Sequence, residues 1–493
     1  MNNTLDRWDF VILTGIFLAT RVMYLFMGLH FDLTFLESGL QFIDPLLLKE
    51  RLIESLFFYH AKPPLMNLIA GIGLKLFDNH AVWLFSTLFH ILGLLTAFAL
   101  LDLISALSNN RKIAWIAVTI LLLSPSFVLF ENWFMYTFPV CALLTISAWL
   151  LYRYLSSGSV IWGAAFFSSI MMLVLSRALF HFYWFTLVLA ILVLITSLNR
   201  KQMMTLAALP LLVCLGWYGK NLFLFGSFSS SSLLGLSLSN VSTLTLPREL
   251  LQQHVDRGEL SRFATVSRYR DLPKVLNNEE LAPRVGIPVL DDNKKSNGNR
   301  NFNSLEMKIV NELYLSDAFT VIQLYPDHYL NALIISNRIY FSPGSMSVYF
   351  SEKNRRASSM ATRIYNFALH GAGTSEGRIE QPHFGYTGKW FVPVNTGYLL
   401  VLLSSIVFLW ASWRSLRTIL TGTWTPRNIT IGYIFGNLLL LYLAGTLLEL
   451  AENNRYRYIG EPLSWVLVIA AGSELFRWLQ TRAAANQHPD GGI

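Results

Sequence analysis

Apolar runs of membrane-spanning length recur from one end of the chain to the other, separated by short polar or basic interruptions. They cover residues 10–29, 81–105, 113–130, 134–151, 160–175, 182–198, 203–224, 396–411, 430–450 and 463–471 with some extension. A helix rising 1.5 Å per residue needs about 20 residues to cross a hydrocarbon core of roughly 30 Å. The pattern therefore predicts an all-α polytopic membrane protein with about ten transmembrane helices. A further apolar stretch, 63–77, is short and carries Asn67 and Lys75. If it crossed, the basic segments 109–112, 199–201 and 414–417 would lie outside. If it rests in the interface as an amphipathic helix, all three fall on the cytoplasmic side. The interfacial placement is the expectation, with both termini inside.

Residues 30–74, after the first run, break this pattern. Asp32, Glu37, Asp44, Lys49, Glu50, Arg51 and Glu54 make the stretch too polar for hydrocarbon, yet Leu, Ile and Phe make it too apolar for an ordinary linker. Positive-inside bias puts it on the extracytoplasmic face, together with 131–132, 177–181, 226–395 and 451–462. The 226–395 region has its own composition, with breakers at 290–298, Pro343-Gly344 and 371–373 between helix-like stretches 247–257, 304–315 and 316–338. A connection this long is expected to fold over the membrane face. Three parts result: an N-terminal transmembrane module, 1–225, including the outer loop 30–80; an extracytoplasmic region, 226–395; and a C-terminal transmembrane module, 396–493. The serine run 228–232 reads as a flexible lead-in without chemistry.

Composition narrows the classes. With 53% hydrophobic and 14% charged residues, the 493-residue chain falls outside the soluble class. The formal charge of +8 does not point to nucleic acid, because Lys and Arg gather at the ends of apolar runs instead of forming one basic face. Cys141 and Cys214 sit inside apolar runs without metal-ligand spacing, so no disulfide is expected.

Several outer residues are candidates for chemistry. Arg455 and Arg457 lie on the side that positive-inside bias disfavours, which suits contact with an anion; pairing with Glu452 or Glu461 is the structural alternative. Lys62 precedes Pro63-Pro64, a turn well suited to start an interfacial helix, and its alternative is snorkelling towards headgroups. Arg177 and His181 flank the junction of two spans, where they would bind phosphate or metal or act as interfacial anchors. Glu131 follows an uninterrupted apolar run and would orient a base, bind a divalent ion or pair with Arg455. His60 stands two residues before Lys62 as a candidate metal ligand. Asp44, directly before Pro45, also fits a helix cap.

The stretch His60-Ala61-Lys62-Pro63-Pro64-Leu65-Met66-Asn67, the acids after the first span, and the late Glu452-Asn453-Asn454-Arg455-Tyr456-Arg457-Tyr458 resemble the integral-membrane GT-C glycosyltransferases. The likeness is to the bacterial branch of family 39-like protein O-mannosyltransferases and lipid A aminoarabinose transferases, and no motif extends it into 226–395. It implies a GT-C fold, a polyprenyl-phosphate or pyrophosphate sugar donor, a glycan, lipid or protein acceptor, and a catalytic carboxylate in the first outer loop. Asp32, the first acid after span one, takes that role by position, with Asp44 and Glu37 as competitors. Relatives commonly show adjacent Asp-Glu, whereas Leu33 follows Asp32 here.

A single base and direct displacement would invert the anomeric centre. Lys62, Arg177, Arg455 and Arg457 would offset charge on the leaving phosphate. Mg or Mn is compatible with this chemistry, as is a metal-free reaction. The absence of a Gly-rich βαβ cradle disfavours direct use of a nucleotide sugar. The expected location is a bacterial inner membrane with the site facing the periplasm or cell exterior, among membrane lipids. A polyprenyl-linked glycan flippase would need polar groups along a membrane-crossing route; a non-catalytic assembly subunit would keep the architecture alone.

Overall fold

The computed structural model describes residues 6–487 except 267–271, 273–280, 348, 374–376 and 382–389. Among the described residues, six helices are long and apolar enough to cross a bilayer: Arg7–Phe26, Ala81–Ser108, Thr137–Ser157, Arg200–Phe225, Tyr398–Thr421 and Pro426–Leu447. Two bent pairs raise the number to eight. The expected ten are therefore reached neither by the long helices nor by adding the bent pairs. Val160–Ser176 and Phe182–Ile195 have only 17 and 14 residues, roughly 26 and 21 Å of helix against a core of about 30 Å.

The bends have local causes. The run expected to be continuous over 113–130 divides into Arg111–Leu122 and Pro125–Glu131, inclined by 59°. Pro125 occupies the first turn and Ser124 accepts from Phe127 N, so Ser124-Pro125 starts a new helix inside an unbroken apolar run. Asn453–Ile459 and the following helix, inclined by 57°, meet at Gly460. There a Cβ would lie 2.4 Å from Leu438.

Hydrogen bonds and ion pairs show which loops share an end of the bundle. Arg111 pairs with Asp6 and Asp9 in the first helix, Arg427 donates to Leu107 O at 3.2 Å, and Arg414 bonds both Glu474 and Asn428. At the opposite end Lys49 pairs with Asp78 at 2.6 Å, tying the stretch after the first span to the far end of Leu65–Phe77. Both ends of this 13-residue helix lie on one face of the bundle.

The 226–395 region is folded and mainly helical, with one antiparallel pair of strands, Gly377–Gln381 and Trp390–Val394. Leu305–Leu324 and Pro326–Tyr340 form its largest helices. The break expected at 315/316 falls instead at Tyr325, because Pro326 disfavours helical backbone before it (Tyr325 φ −133°, ψ 61°). Leu234–Val241 packs so closely on Leu305–Leu324 that a Cβ on Gly235 would lie 2.0 Å from Asn311 O. Buried residues of this region, including Leu233, Leu236, Met307 and Val310, belong to the same apolar core as those of the spans.

Candidate functional site

At the end of the bundle that carries residues 30–64, a cavity of about 240 Å³ is lined by Lys62, Pro63, Tyr136, Arg177, His181 and Tyr456, with Gln41 and serines 229, 231 and 237. Lys62 arrives there on a rigid backbone. Asn303 Oδ1 accepts from His60 N (2.8 Å) and Ala61 N (2.9 Å), its Nδ2 donates to Phe58 O, and Ser231 Oγ donates to Ala61 O at 2.7 Å. Ser232 N donates to His60 O at 3.1 Å. Burial pushes the Lys62 ammonium below its usual pKa, with the Tyr136 side chain next in effect and opposing it.

Arg177 ends the Val160–Ser176 helix in extended backbone and turns its guanidinium into the cavity. The plane lies 4.0 Å from the Tyr456 ring centre and 5.1 Å from that of Tyr136. Only 5% of the residue is exposed, yet among the described residues neither Nη1 nor Nη2 meets an acceptor. A buried guanidinium stacked between aromatic rings and left with both terminal nitrogens unbonded is costly unless an anion completes it.

The late arginines part company. Arg455 stands behind the cavity wall, paired with Glu452 and donating to Tyr136 Oη at 3.2 Å. Arg457 pairs with Glu461 at 2.9 Å, and Glu461 lies 3.7 Å from His370. That cluster borders a separate cavity of about 60 Å³ with Phe408 and Trp465. Pairing with Glu452 and Glu461, the structural alternative from the sequence, is thus present for both.

The three outer acids have different surroundings. Asp32 is held by a two-residue bridge to the Trp133 segment, with Asp32 N donating to Asn132 O (2.8 Å) and Phe134 N to Asp32 O (2.9 Å). Its Oδ1 accepts from Thr34 N and Oγ1, while Oδ2 takes no hydrogen bond among the described residues. Asp32 does not line the cavity; Trp133 stacks on Tyr349, and the Arg455 guanidinium lies 5.7 Å from the Tyr349 ring, so one aromatic layer joins the two places. Asp44 caps Pro45–Glu50 through Leu46 N and receives both Ser296 N (2.6 Å) and Ser296 Oγ (2.7 Å). Its carboxylate is occupied in joining two loops. Glu37 is exposed, and its backbone carbonyl receives the buried Lys295 ammonium at 3.1 Å.

Glu131 is fully buried and paired with Arg21 at 2.7 Å, not with Arg455. Its Oε1 lies where a Cβ on Gly93 would be 2.0 Å away, so a larger residue there would displace the Glu131 carboxylate. His60 has both ring nitrogens engaged, Nδ1 with Ser232 Oγ (2.8 Å) and Nε2 with Asn303 O (3.0 Å). Burial lowers its pKa to about 3. His181 Nδ1 accepts from Tyr183 N at 3.3 Å, and burial holds its imidazole below the usual range. Among the described residues, no group of three or more His, Cys, Asp or Glu is gathered to hold a metal.

Asn303 and the serines escaped the sequence reading, which offers Tyr136 only among aromatics able to line a prenyl channel, with Trp133, Phe182 and Trp184, and Tyr456 only as part of a motif, without a role of its own. Tyr456 lies inside the stretch 452–458, where its alternation with two arginines was available as a signal. Tyr136 is one of 20 tyrosines, and nothing in its spacing marks it. The serine run, read as a lead-in, instead supplies Ser231 and Ser232 to the Lys62 segment.

No family model matches the chain, and no curated protein does. Solved structures similar in overall course include the archaeal oligosaccharyltransferase AglB from Archaeoglobus fulgidus with an inhibitory peptide and a dolichol-phosphate (13% identity, 99% of this chain, 53% of that chain, TM-score 0.37). The A. fulgidus enzyme complexed with Zn and sulfate is also similar (13% identity, 96% and 50% coverage, TM-score 0.39). ArnT from Cupriavidus metallidurans bound to undecaprenyl phosphate is another (13% identity, 94% and 77% coverage, TM-score 0.34). The chain spans about half the length of the oligosaccharyltransferase chains. Scores this low mark a loose likeness, and the functional reading rests on the residues of the site.

Proposed function

We propose that this protein is a GT-C-type membrane glycosyltransferase that moves a sugar from a polyprenyl-phosphate donor to an extracytoplasmic glycan, lipid or protein. The observation that carries the reading is the Arg177 guanidinium, buried at the cavity with both terminal nitrogens unbonded among the described residues and Lys62 lining the same cavity. A phosphate group satisfies that fork and its charge together. Adding Val160–Ser176 and Phe182–Ile195 as short crossings to the eight candidate spans gives the ten of this reading, in a bacterial inner membrane.

In the reaction, Asp32 Oδ2 takes the proton of the acceptor hydroxyl as its oxygen attacks the anomeric carbon. The bond from that carbon to the phosphate oxygen breaks on the opposite side, inverting the centre, and polyprenyl phosphate departs. Lys62 and Arg177 hold the charge gathering on the departing phosphate. Arg455, through the Tyr136 hydroxyl, fixes one of the rings that flank Arg177. Any Mg or Mn would have to be held by phosphate oxygens as well as protein, given the scattered acids and histidines.

Purified protein reconstituted with labelled polyprenyl-phosphate sugars and candidate acceptors tests this reading. Sugar transfer with release of polyprenyl phosphate is the expected result. Binding without turnover across acceptors, or vectorial movement of intact donor between leaflets, overturns it.

A further inference from the structure

The helix Glu352–Tyr365, continued by the π-helical turn Asn366–His370, presents two faces with different partners. Its inner face carries Asn354, Ser358 and Tyr365, all buried. Asn354 accepts from His30 N (3.1 Å) and donates to His30 O (2.8 Å), two positions before Asp32. On the outer side Met360, Ile364 and Phe367 are 66%, 59% and 65% exposed. Met360 and Ile364 are one turn apart and share a stripe.

Cations flank that stripe. Lys353, seven residues before Met360 and in line with it, and Arg363, beside Ile364, are exposed, whereas Arg356 is paired with Glu352 and Arg355 lies on the opposite side from Ile364. The turn also leads into the wall of a candidate span. Gly371, just after it, packs against Leu399 so closely that a Cβ would lie 2.9 Å from Leu399 Cγ, and Gly397 lies against His370 O. From there Tyr398–Thr421 exposes Leu402, Ile406 and Leu409 outward. The apolar stripe is thus continuous with a surface built to face lipid tails.

We propose that Glu352–His370 is an interfacial helix docked on the bilayer, with Met360, Ile364 and Phe367 among the acyl chains and Lys353 and Arg363 on anionic phospholipid headgroups. An apolar stripe flanked by cations, at the level where a span begins, matches that partner in both shape and charge. The glycosyl-transfer reading is not needed for this assignment. Through Asn354, the bilayer surface is joined to the loop that carries Asp32.

The test uses the full chain in phosphatidylcholine vesicles with and without phosphatidylglycerol. Nitroxide labels are placed by Met360→Cys, Ile364→Cys and, as a solvent-facing control, Ser359→Cys; the native Cys141 and Cys214 are buried. Collision rates with oxygen, which concentrates in lipid, and with an aqueous nickel chelate are compared. Labels at 360 and 364 should favour oxygen over nickel by at least about threefold relative to 359, and phosphatidylglycerol should raise that ratio further. Lys353→Gln and Arg363→Gln together should remove the response to phosphatidylglycerol. Three results overturn the proposal: nickel access at 360 and 364 equal to that at 359, shielding from both agents as beneath a protein partner, or a ratio indifferent to phosphatidylglycerol.

Discussion

Arg177 and Arg21 are both buried arginines, and replacing each with methionine should separate a ligand site from a structural pair. Arg21→Met strands Glu131, which has 0% exposure and whose Oε2 has the Arg21 Nε as its partner at 2.7 Å. Removing one partner of such a pair costs about 3–5 kcal/mol. Arg177→Met strands no acceptor among the described residues, because Nη1 and Nη2 have none there. It relieves unsatisfied donors worth about 1–3 kcal/mol and loses stacking on Tyr456 worth up to about 2 kcal/mol. The two effects offset, so ligand-free stability should stay within about 1 kcal/mol of the parent. Donor binding should move the other way. Losing a guanidinium fork on phosphate removes roughly 3 kcal/mol, or about two decades in Kd. Thermal unfolding in detergent reports the first quantity, and calorimetric titration with polyprenyl phosphate the second. If Arg177→Met destabilises the protein as much as Arg21→Met and leaves Kd within about twofold, Arg177 is a packing residue and the phosphate assignment fails.

The remaining predictions concern the loops around the cavity. Asp32→Asn should lower turnover roughly 100-fold or more with donor affinity retained, whereas Asp44→Asn should cost about 1–2 kcal/mol of stability and leave the rate per folded molecule intact; the reverse pattern would transfer the base to Asp44. Lys62 titrates below its usual 10.5 because of burial, so between its folded and unfolded pKa only the unfolded chain holds the proton, and its contribution to ligand-free stability rises with pH across that window. Anion binding needs the charged form, so donor affinity should fall as pH climbs through the lower, folded value, beginning before 10.5; a Lys62→Met variant should lack that limb, and an unshifted limb at 10.5 in the parent would contradict the burial argument. Asn303→Ala leaves His60 N and Ala61 N without their acceptor and should raise donor KM through Lys62 as well as lowering the melting temperature. A melting change with KM untouched would limit Asn303 to a packing role.

The membrane class is legible in the apolar runs alone, because hydrocarbon demands long apolar helices whatever the tertiary arrangement, and residues 30–74 stand out as the stretch where polar and apolar residues mix. Lys62, Arg177 and the acids of the first outer loop are legible too, since charges that neither topology nor a long apolar run explains stand out in such a chain. Which charges keep company depends instead on how the helices pack. Arg455 and Arg457 are two residues apart, yet one reaches Tyr136 and the other turns to Glu461, because side chains two positions apart on a helix point about 200° away from each other. Glu131 found Arg21 across 110 positions, and Asn303 found His60 across 243. No local pattern encodes such pairings; they follow from how helices pack and where the 226–395 region comes down. The same holds for Ser124-Pro125, where an apolar run that looks continuous becomes two helices because a cap and a proline outweigh hydrophobicity at that point.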